Sequence, residues 1–220
     1  MSAICETAKE YFEAKADEFE RNQADMAPWE KAQDELRRAE ALEEVGKKAV
    51  KRAIESGVPE RHADKFLSDV RQTNILKSVM EWHKTDSWLC ILADNPGTGK
   101  SFAAAYCLWN QIKSYGKSYA GSWEPDWFYA ADIPDMNRED IKKLNTNHFM
   151  VIDDLGSEYY SDKGWFISRF YNILSHRYDN MRRTIITTNL SAQDVFDRYN
   201  DPRLIRRIKG EDGDVMWFGS

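Results

Sequence analysis

Residues 88–101 read Trp88-Leu-Cys-Ile-Leu-Ala93 followed by Asp94-Asn-Pro-Gly97-Thr-Gly99-Lys100-Ser101. The first half is a continuous apolar run, which is typical of a strand buried inside a parallel sheet. A proline and two glycines end this run, and residues 101–115 then have the composition of a helix. The order of strand, glycine-rich turn and helix predicts an α/β fold with a phosphate-binding loop at this point.

The loop has the chemistry that a bound phosphate requires. Because Gly97 and Gly99 carry no side chains, successive backbone N–H groups can converge on an anion, and the next helix adds its positive dipole end. In the pattern G-x-x-x-x-G-K-[ST], the lysine reaches the β- and γ-phosphates and the hydroxyl binds Mg²⁺. Lys100 and Ser101 match these two positions, whereas Asp94 replaces the first glycine. The predicted nucleotide-binding residues are Asn95, Pro96, Gly97, Thr98, Gly99, Lys100 and Ser101.

A second apolar run, His148-Phe-Met-Val-Ile-Asp153-Asp154, ends in two acids. In a P-loop protein the carboxyl end of such a strand lies at the ligand-binding edge of the sheet. We therefore expect Asp153 to hold Mg²⁺, and Asp154 to polarise the attacking water. A strand that merely ends at an Asp-containing turn is the alternative, but the position about fifty residues after the phosphate loop favours the functional role.

Two later segments add polar residues. The apolar run 183–189 ends at Asn189, which would hydrogen-bond the lytic water or the γ-phosphate, or would instead cap the helix that begins at Ser191. The segment 201–208 is a short helix that contains Arg203, Arg206 and Arg207. One of these could be an arginine finger that enters the active site of a neighbouring subunit; the alternative is a solvated helix face.

The composition limits the class of protein. With 220 residues, of which 42% are hydrophobic, the chain can form one α/β core and a small appendage. It has no apolar run of membrane-spanning length, and its N-terminus lacks the pattern of a signal peptide, so we expect a cytoplasmic protein without membrane association. Its three scattered cysteines and four histidines indicate neither a disulfide framework nor a zinc site.

The N-terminal part is acidic: residues 1–50 contain 8 basic and 13 acidic side chains, compared with 23 and 24 in the remainder. This balance argues against a basic nucleic-acid arm and is compatible with a protein partner. Helices are predicted over 3–23 and 29–56. The second has a narrow apolar stripe formed by Trp29, Ala32, Leu36, Ala39, Leu42 and Val45.

The stripe is too thin for an independent core, so it packs either onto the following domain or onto a partner's helix. Ser56-Gly57-Val58-Pro59 has the residues that end a helix. We therefore predict an N-terminal helical, partner-binding segment over 1–56 and an ATPase domain over 57–220. Further elements are expected at 72–83, 127–131, 137–144, 164–180 and 215–218, and no lid domain is expected to follow.

Four motifs occur in a fixed order: Pro-Gly-Thr-Gly-Lys-Ser, Val-Ile-Asp-Asp-Leu-Gly, Ile-Ile-Thr-Thr-Asn-Leu and Asp-Pro-Arg-Leu-Ile-Arg-Arg-Ile. Together they resemble the motifs of the AAA+ replicative helicase loaders of the DnaC/DnaI type. The resemblance extends over about residues 57–219 and includes Val-Pro-Glu-Arg at 58–61. Phage-encoded relatives of these loaders and the IstB-type transposition helper ATPases share the same motifs.

The resemblance implies a three-layer αβα P-loop (AAA+) domain with a central parallel sheet, ATP and Mg²⁺ as cofactors, and a spiral oligomer that contacts single-stranded DNA. It also implies that the N-terminal segment grips the replicative helicase. The implied roles are Walker A for Lys100 and Ser101, Walker B for Asp153 and Asp154, sensor 1 for Asn189, and an arginine finger acting in trans for Arg207. The family has a sensor 2 arginine just beyond the last strand, a position at which residues 219–220 contain no arginine.

The sequence therefore predicts an ATP-dependent loader that places a replicative DNA helicase on single-stranded DNA, of bacterial or phage origin. Two alternatives remain at this stage. One is an IstB-like transposition helper ATPase that binds duplex DNA and a transposase. The other is an adaptor that binds ATP as a structural switch and hydrolyses little of it.

Overall fold

The computed structural model describes Lys15 and residues 28–68, 70–93, 95–115, 125–159, 163–210 and 214–219. The chain divides into two compact units, Met1–Val45 and Gly46–Ser220. The predicted boundary after residue 56 thus lies inside the second unit. Apart from the helical Lys15, the predicted helix over 3–23 lies outside the described residues, as does Asp94.

One long helix, α1 (Pro28–Glu55), begins in the first unit and ends in the second. Within the first unit, the largest side chains of its apolar stripe are exposed, with Trp29 at 61%, Leu36 at 60%, Leu42 at 71% and Val45 at 41%. In the second unit the buried residues of α1 are small: Gly46, Ala49 and Ala53. The stripe and the buried face of α1 therefore consist of different residues.

The second unit contains a five-stranded sheet in which all the strands are parallel, in the order β2-β3-β4-β1-β5. Its strands are β1 (Leu89–Ala93), β2 (Asp126–Tyr129), β3 (Phe149–Leu155), β4 (Arg183–Thr188) and β5 (Val215–Phe218). Every residue of β1 is buried, which confirms the prediction of an interior strand. Because β1, β3 and β4 are neighbours in one parallel sheet, their carboxyl ends meet at the same edge.

Helices connect the strands, and the described helices after α1 are α2 (Glu60–Ala63), α3 (Asn74–Trp82), α4 (Lys100–Tyr115), α5 (Arg138–Thr146), α6 (Lys163–Asp179), α7 (Ala192–Tyr199) and α8 (Pro202–Lys209). The predicted strand 127–131 is shorter than expected, because Ala130 and Ala131 belong to a 3-10 helix, Ala130–Asp135. None of the described helices is both long enough and apolar enough to cross a bilayer.

Alternate residues of the strands enter two separate cores, one on each face of the sheet. Cys90 and Leu92 of β1 pack with α3 and α4 residues such as Trp82 and Leu108. Leu89, Ile91 and Ala93 face the opposite core, which contains the predicted inward residues of α6, Phe166, Phe170, Ile173 and Leu174. The second unit is thus a three-layer αβα sandwich, which confirms the predicted fold class.

Candidate active site

A cavity of about 380 Å³ lies at the carboxyl edge of the sheet. It brings together eight of the predicted site residues: Pro96, Gly97, Gly99, Lys100, Ser101, Asp153, Asp154 and Asn189. Asn95 and Thr98 lie in the same loop but do not line the cavity. In open parallel sheets, ligands bind at this edge.

The loop between β1 and α4 has the conformation that its glycines permit. Gly97 has a φ of 85° and Gly99 a φ of 92°, values that other residues adopt only with strain. A Cβ at either position would meet no atom within 4 Å, so backbone conformation, rather than lack of space, is what requires glycine here. The Thr98 hydroxyl donates to the Asn95 carbonyl at 3.1 Å and closes the turn.

Lys100 is the first residue of α4, so its side chain starts at the positive end of the helix dipole. The side chain is buried, and Nζ donates to the Asn95 carbonyl at 2.8 Å, over the loop. The Lys100 cation and the glycine-rich loop therefore line the same cavity, which is the arrangement that binds a polyphosphate.

Asp153 lies near the end of β3 and is only 3% exposed. Its Oδ1 accepts a hydrogen bond of 2.6 Å from the Thr187 hydroxyl, and its side chain also hydrogen-bonds that of Ser101. Burial raises the pKa of Asp153 above its ordinary 3.8, and the neighbouring Asp154 charge acts in the same direction. The Thr187 and Ser101 hydrogen bonds and the Arg61 charge partly offset this increase in pKa.

Asp154 follows at a bulge in the pairing of β3 with β4 and has a left-handed φ of 59°. Its backbone N–H donates to the Thr187 hydroxyl at 2.9 Å. Its Oδ1 accepts from Asn189 Nδ2 at 3.0 Å. A non-glycine residue in this region is strained, and such strain is concentrated at functional sites.

The structure excludes one of the two roles predicted for Asn189. The residue that caps α7 is Ser191, whose side chain accepts from the Asp194 amide, so Asn189 is not the helix cap. Asn189 lines the cavity and contacts the Asp154 carboxylate instead. It is therefore placed to orient Asp154 or a group bound next to it.

Arg207 lies away from this cavity. Its guanidinium lies 4.1 Å from the centre of the Tyr178 ring, with Nη2 3.9 Å from Asp179 Oδ1. Arg203 pairs with Asp201, the cap of α8, at 2.8 Å. Neither arginine lines the cavity of its own chain.

Sequence reasoning missed five residues that line the cavity: Arg61, His62, Phe102, Tyr129 and Thr187. Thr187 had a usable signal, because in the predicted strand 183–189 it precedes Asn189 by two residues and alternate strand residues share a face. Arg61 ends the Val-Pro-Glu-Arg segment of the family resemblance, but nothing in that segment indicates that its side chain lines the cavity. Tyr129 comes from a segment distant in sequence, and no local pattern marks it.

A second cavity, of about 360 Å³, adjoins the first, and the two share His62, Gly99 and Phe102. It is lined mainly by residues between α2 and α3, including Val70 and Thr73. The two cavities together offer a polar end beside the loop and a less polar end beside Phe102.

These residues fit a nucleoside triphosphate with Mg²⁺. The loop amides and Lys100 suit the phosphates, whereas Ser101 and Asp153 provide the hard oxygen ligands that Mg²⁺ prefers. Burial disfavours the charge on Asp153, and a cation beside it would reverse that penalty.

Three solved structures resemble this chain. A crystal structure of the DnaC helicase loader has a TM-score of 0.53 and 20% identity, with 72% of this chain and 99% of that chain covered. A crystal structure of DnaI has a TM-score of 0.54 and 16% identity, covering 70% and 89%. The replication initiator DnaA, bound to AMPPCP and single-stranded DNA, has a TM-score of 0.51 and 18% identity, covering 67% and 47%.

This chain has the fold of the AAA+ helicase loaders. The comparison confirms the fold that the motif resemblance implied. No protein-family model matches the sequence, and no curated protein matches it significantly. The neighbouring structures include AMPPCP-bound DnaA from Aquifex aeolicus, so a nucleotide binds to a protein of this fold.

Proposed function

We propose that this protein is an ATP-dependent helicase loader, which binds a replicative DNA helicase and helps to place it on single-stranded DNA. The observation that carries the proposal is the convergence of the glycine loop, Lys100, Asp153 and Asp154 on one cavity, in a fold shared with DnaC and DnaI. The order of the four motifs adds a second, independent argument from the sequence.

In the proposed site, the loop amides and Lys100 hold the phosphates, and the nucleoside lies towards the second cavity. Bound Mg²⁺, held by Ser101 and Asp153, would neutralise charge on the β- and γ-phosphates. Asp154 orients the attacking water and accepts its proton, while Asn189 holds the Asp154 carboxylate in place. Arg207 acts on the nucleotide of the neighbouring subunit, so hydrolysis depends on self-association.

The N-terminal segment is the proposed helicase-binding part. The exposed apolar side chains of α1 offer a surface of the kind that binds another helix. Pull-down of the host replicative hexamer by the full chain tests this. We expect Leu42→Glu to reduce helicase capture at least about tenfold, because a charge at an apolar contact costs several kcal/mol. Ala41→Glu, the same change at the preceding exposed residue, turns away from the stripe and should capture helicase normally.

Capture that is unaffected by Leu42→Glu would contradict the assignment of this surface.

ATP hydrolysis is tested separately. An Asp154→Asn variant with unchanged ATP turnover would favour an ATP-binding adaptor that hydrolyses little, since the carboxylate would then have no catalytic role.

A further inference from the structure

The position of α2 is fixed by the way in which α1 ends. The Gly57 amide donates to the Ile54 carbonyl and the Val58 amide to the Ala53 carbonyl, which is a Schellman termination with Gly57 at a φ of 92°. The Ser56 carbonyl then accepts from the Trp127 amide of β2 at 2.8 Å. The turn before α2 is thereby attached to the strand next to β3.

From this position α2 presents Arg61 to the phosphate cavity. Arg61 lines the first cavity but not the second, whereas the next residue, His62, lines both. Arg61 thus belongs to the cavity that contains the phosphate loop and not to the second cavity. Its guanidinium is solvent-exposed and makes no hydrogen bond or ion pair with the described residues.

Arg61 lines the same cavity as Asp153, the proposed metal-binding residue. The Arg61 charge lowers the pKa of the Asp153 carboxyl. Tyr129, which also lines the cavity, pairs in register with Asp153 on the adjacent strand. A metal held by Asp153 would neutralise charge on the β- and γ-phosphates, so we expect the terminal phosphates at this end of the cavity, within reach of Arg61.

We propose that Arg61 binds the terminal phosphate of the nucleotide held by its own chain, and so makes the site prefer a nucleoside triphosphate to a diphosphate. The inference rests on the proposed nucleotide site. A guanidinium is suited to this role because its planar donors can bind a phosphate through two hydrogen bonds. Arg61 differs from Arg207 in acting within one subunit, so its effect does not require assembly.

Isothermal titration calorimetry with Mg²⁺ and either AMPPCP or ADP tests the proposal without depending on turnover. We expect Arg61→Ala to weaken AMPPCP binding about tenfold or more and ADP binding less than about threefold, because a charge-assisted contact to the extra phosphate is lost. Arg61→Lys should retain part of the preference for AMPPCP. Arg138→Ala, which removes an exposed arginine that does not line the cavity, should bind both nucleotides normally.

An AMPPCP-to-ADP affinity ratio in Arg61→Ala equal to that of the wild type would overturn the inference. If the wild-type protein bound neither nucleotide, the proposed function itself would fail. These two failures are distinguishable, because the first requires measurable wild-type binding. Thermal unfolding of each variant confirms that an altered affinity does not reflect loss of the fold.

Discussion

At the scale of single residues, the buried carboxyl of Asp153 makes the stability of the fold depend on pH. The carboxylate is almost fully buried and has a raised pKa because burial disfavours its charge. The folded protein therefore binds this proton more tightly than the unfolded chain. Proton binding by Asp153 therefore stabilises the fold fully at pH values below the ordinary pKa of the carboxyl. This stabilisation is lost as the pH rises through the higher pKa that Asp153 has in the folded protein.

We expect Asp153→Asn to stabilise the nucleotide-free protein at neutral pH, because the amide retains an acceptor for Thr187 and removes the buried charge. Each kcal/mol gained corresponds to about 2–4 °C in Tm for a chain of this size. The same variant should lose the Mg²⁺ dependence of nucleotide binding. Differential scanning calorimetry at pH 7, with Asp135→Asn at an exposed position as the control, measures the first effect; a lower Tm in Asp153→Asn would contradict it.

The sequence predicted the motif residues because each is marked by local spacing: the glycine loop before Lys100, and the acids after an apolar run. It did not predict that one hydroxyl, Thr187, contacts both Asp153 and the Asp154 amide. That arrangement depends on the register of β3 with β4 and on the bulge at Asp154. Register between strands that are distant in sequence cannot be read from a single strand.

At the scale of secondary-structure elements, the end of α1 determines where α2 lies. An added Cβ at Gly57 would be 2.8 Å from the Trp127 carbonyl oxygen, and the left-handed φ is itself unfavourable for alanine. We expect Gly57→Ala to destabilise the protein by about 1–3 kcal/mol, through backbone strain and displacement of β2. Urea unfolding measures this free energy.

Gly164→Ala is a suitable control, because Gly164 lies in α6 and is not among the glycines with positive φ. This change should be neutral or stabilise the helix by up to about 1 kcal/mol. Equal unfolding midpoints for Gly57→Ala and the wild type would show that the Schellman turn does not position α2.

Most helices were predictable because their capping residues and the spacing of their apolar side chains indicate the same helix bounds. Asn137 and Ser191 both form capping boxes, and Thr73 caps α3, close to the predicted helix starts. The end of β2 was not predictable from its apolar run, since Ala130 and Ala131 suit a strand or a helix and the 3-10 turn follows from the tertiary arrangement. The apolar stripe of α1 indicated a helix but did not show that its largest side chains are exposed.

At the scale of the whole molecule, Arg207 does not line the cavity of its own chain, so we expect the proposed reaction to need a second subunit. Asp154→Asn retains Arg207, and Arg207→Ala retains Asp154, so each inactive variant has the group that the other lacks. We expect each to turn over ATP at least about a hundredfold more slowly than the wild type, and their mixture to recover measurable turnover.

A steady-state ATPase assay at several protein concentrations, with and without single-stranded DNA, measures this recovery. No recovery on mixing would contradict action in trans. If Arg203→Ala or Arg206→Ala abolished turnover and Arg207→Ala did not, the finger would be a different arginine of α8.

The fold class could be predicted from the strand, loop and helix around Lys100. The order of the strands in the sheet could not be predicted from them. β1 lies between β4 and β5, and both of these strands are far from β1 in the sequence. Nothing within residues 88–93 indicates these neighbours. The assembly of the site from α2, β1, β3 and β4 is accordingly a property of the folded second unit.

The most direct test of the proposed nucleotide site is calorimetric titration of the full chain with ATP and Mg²⁺, compared with Lys100→Ala. We expect saturable binding to the wild type, with an affinity at least about tenfold lower when the ammonium is removed from the phosphate loop. Absence of binding to the wild type at millimolar ATP, or equal affinity in Lys100→Ala, would contradict it.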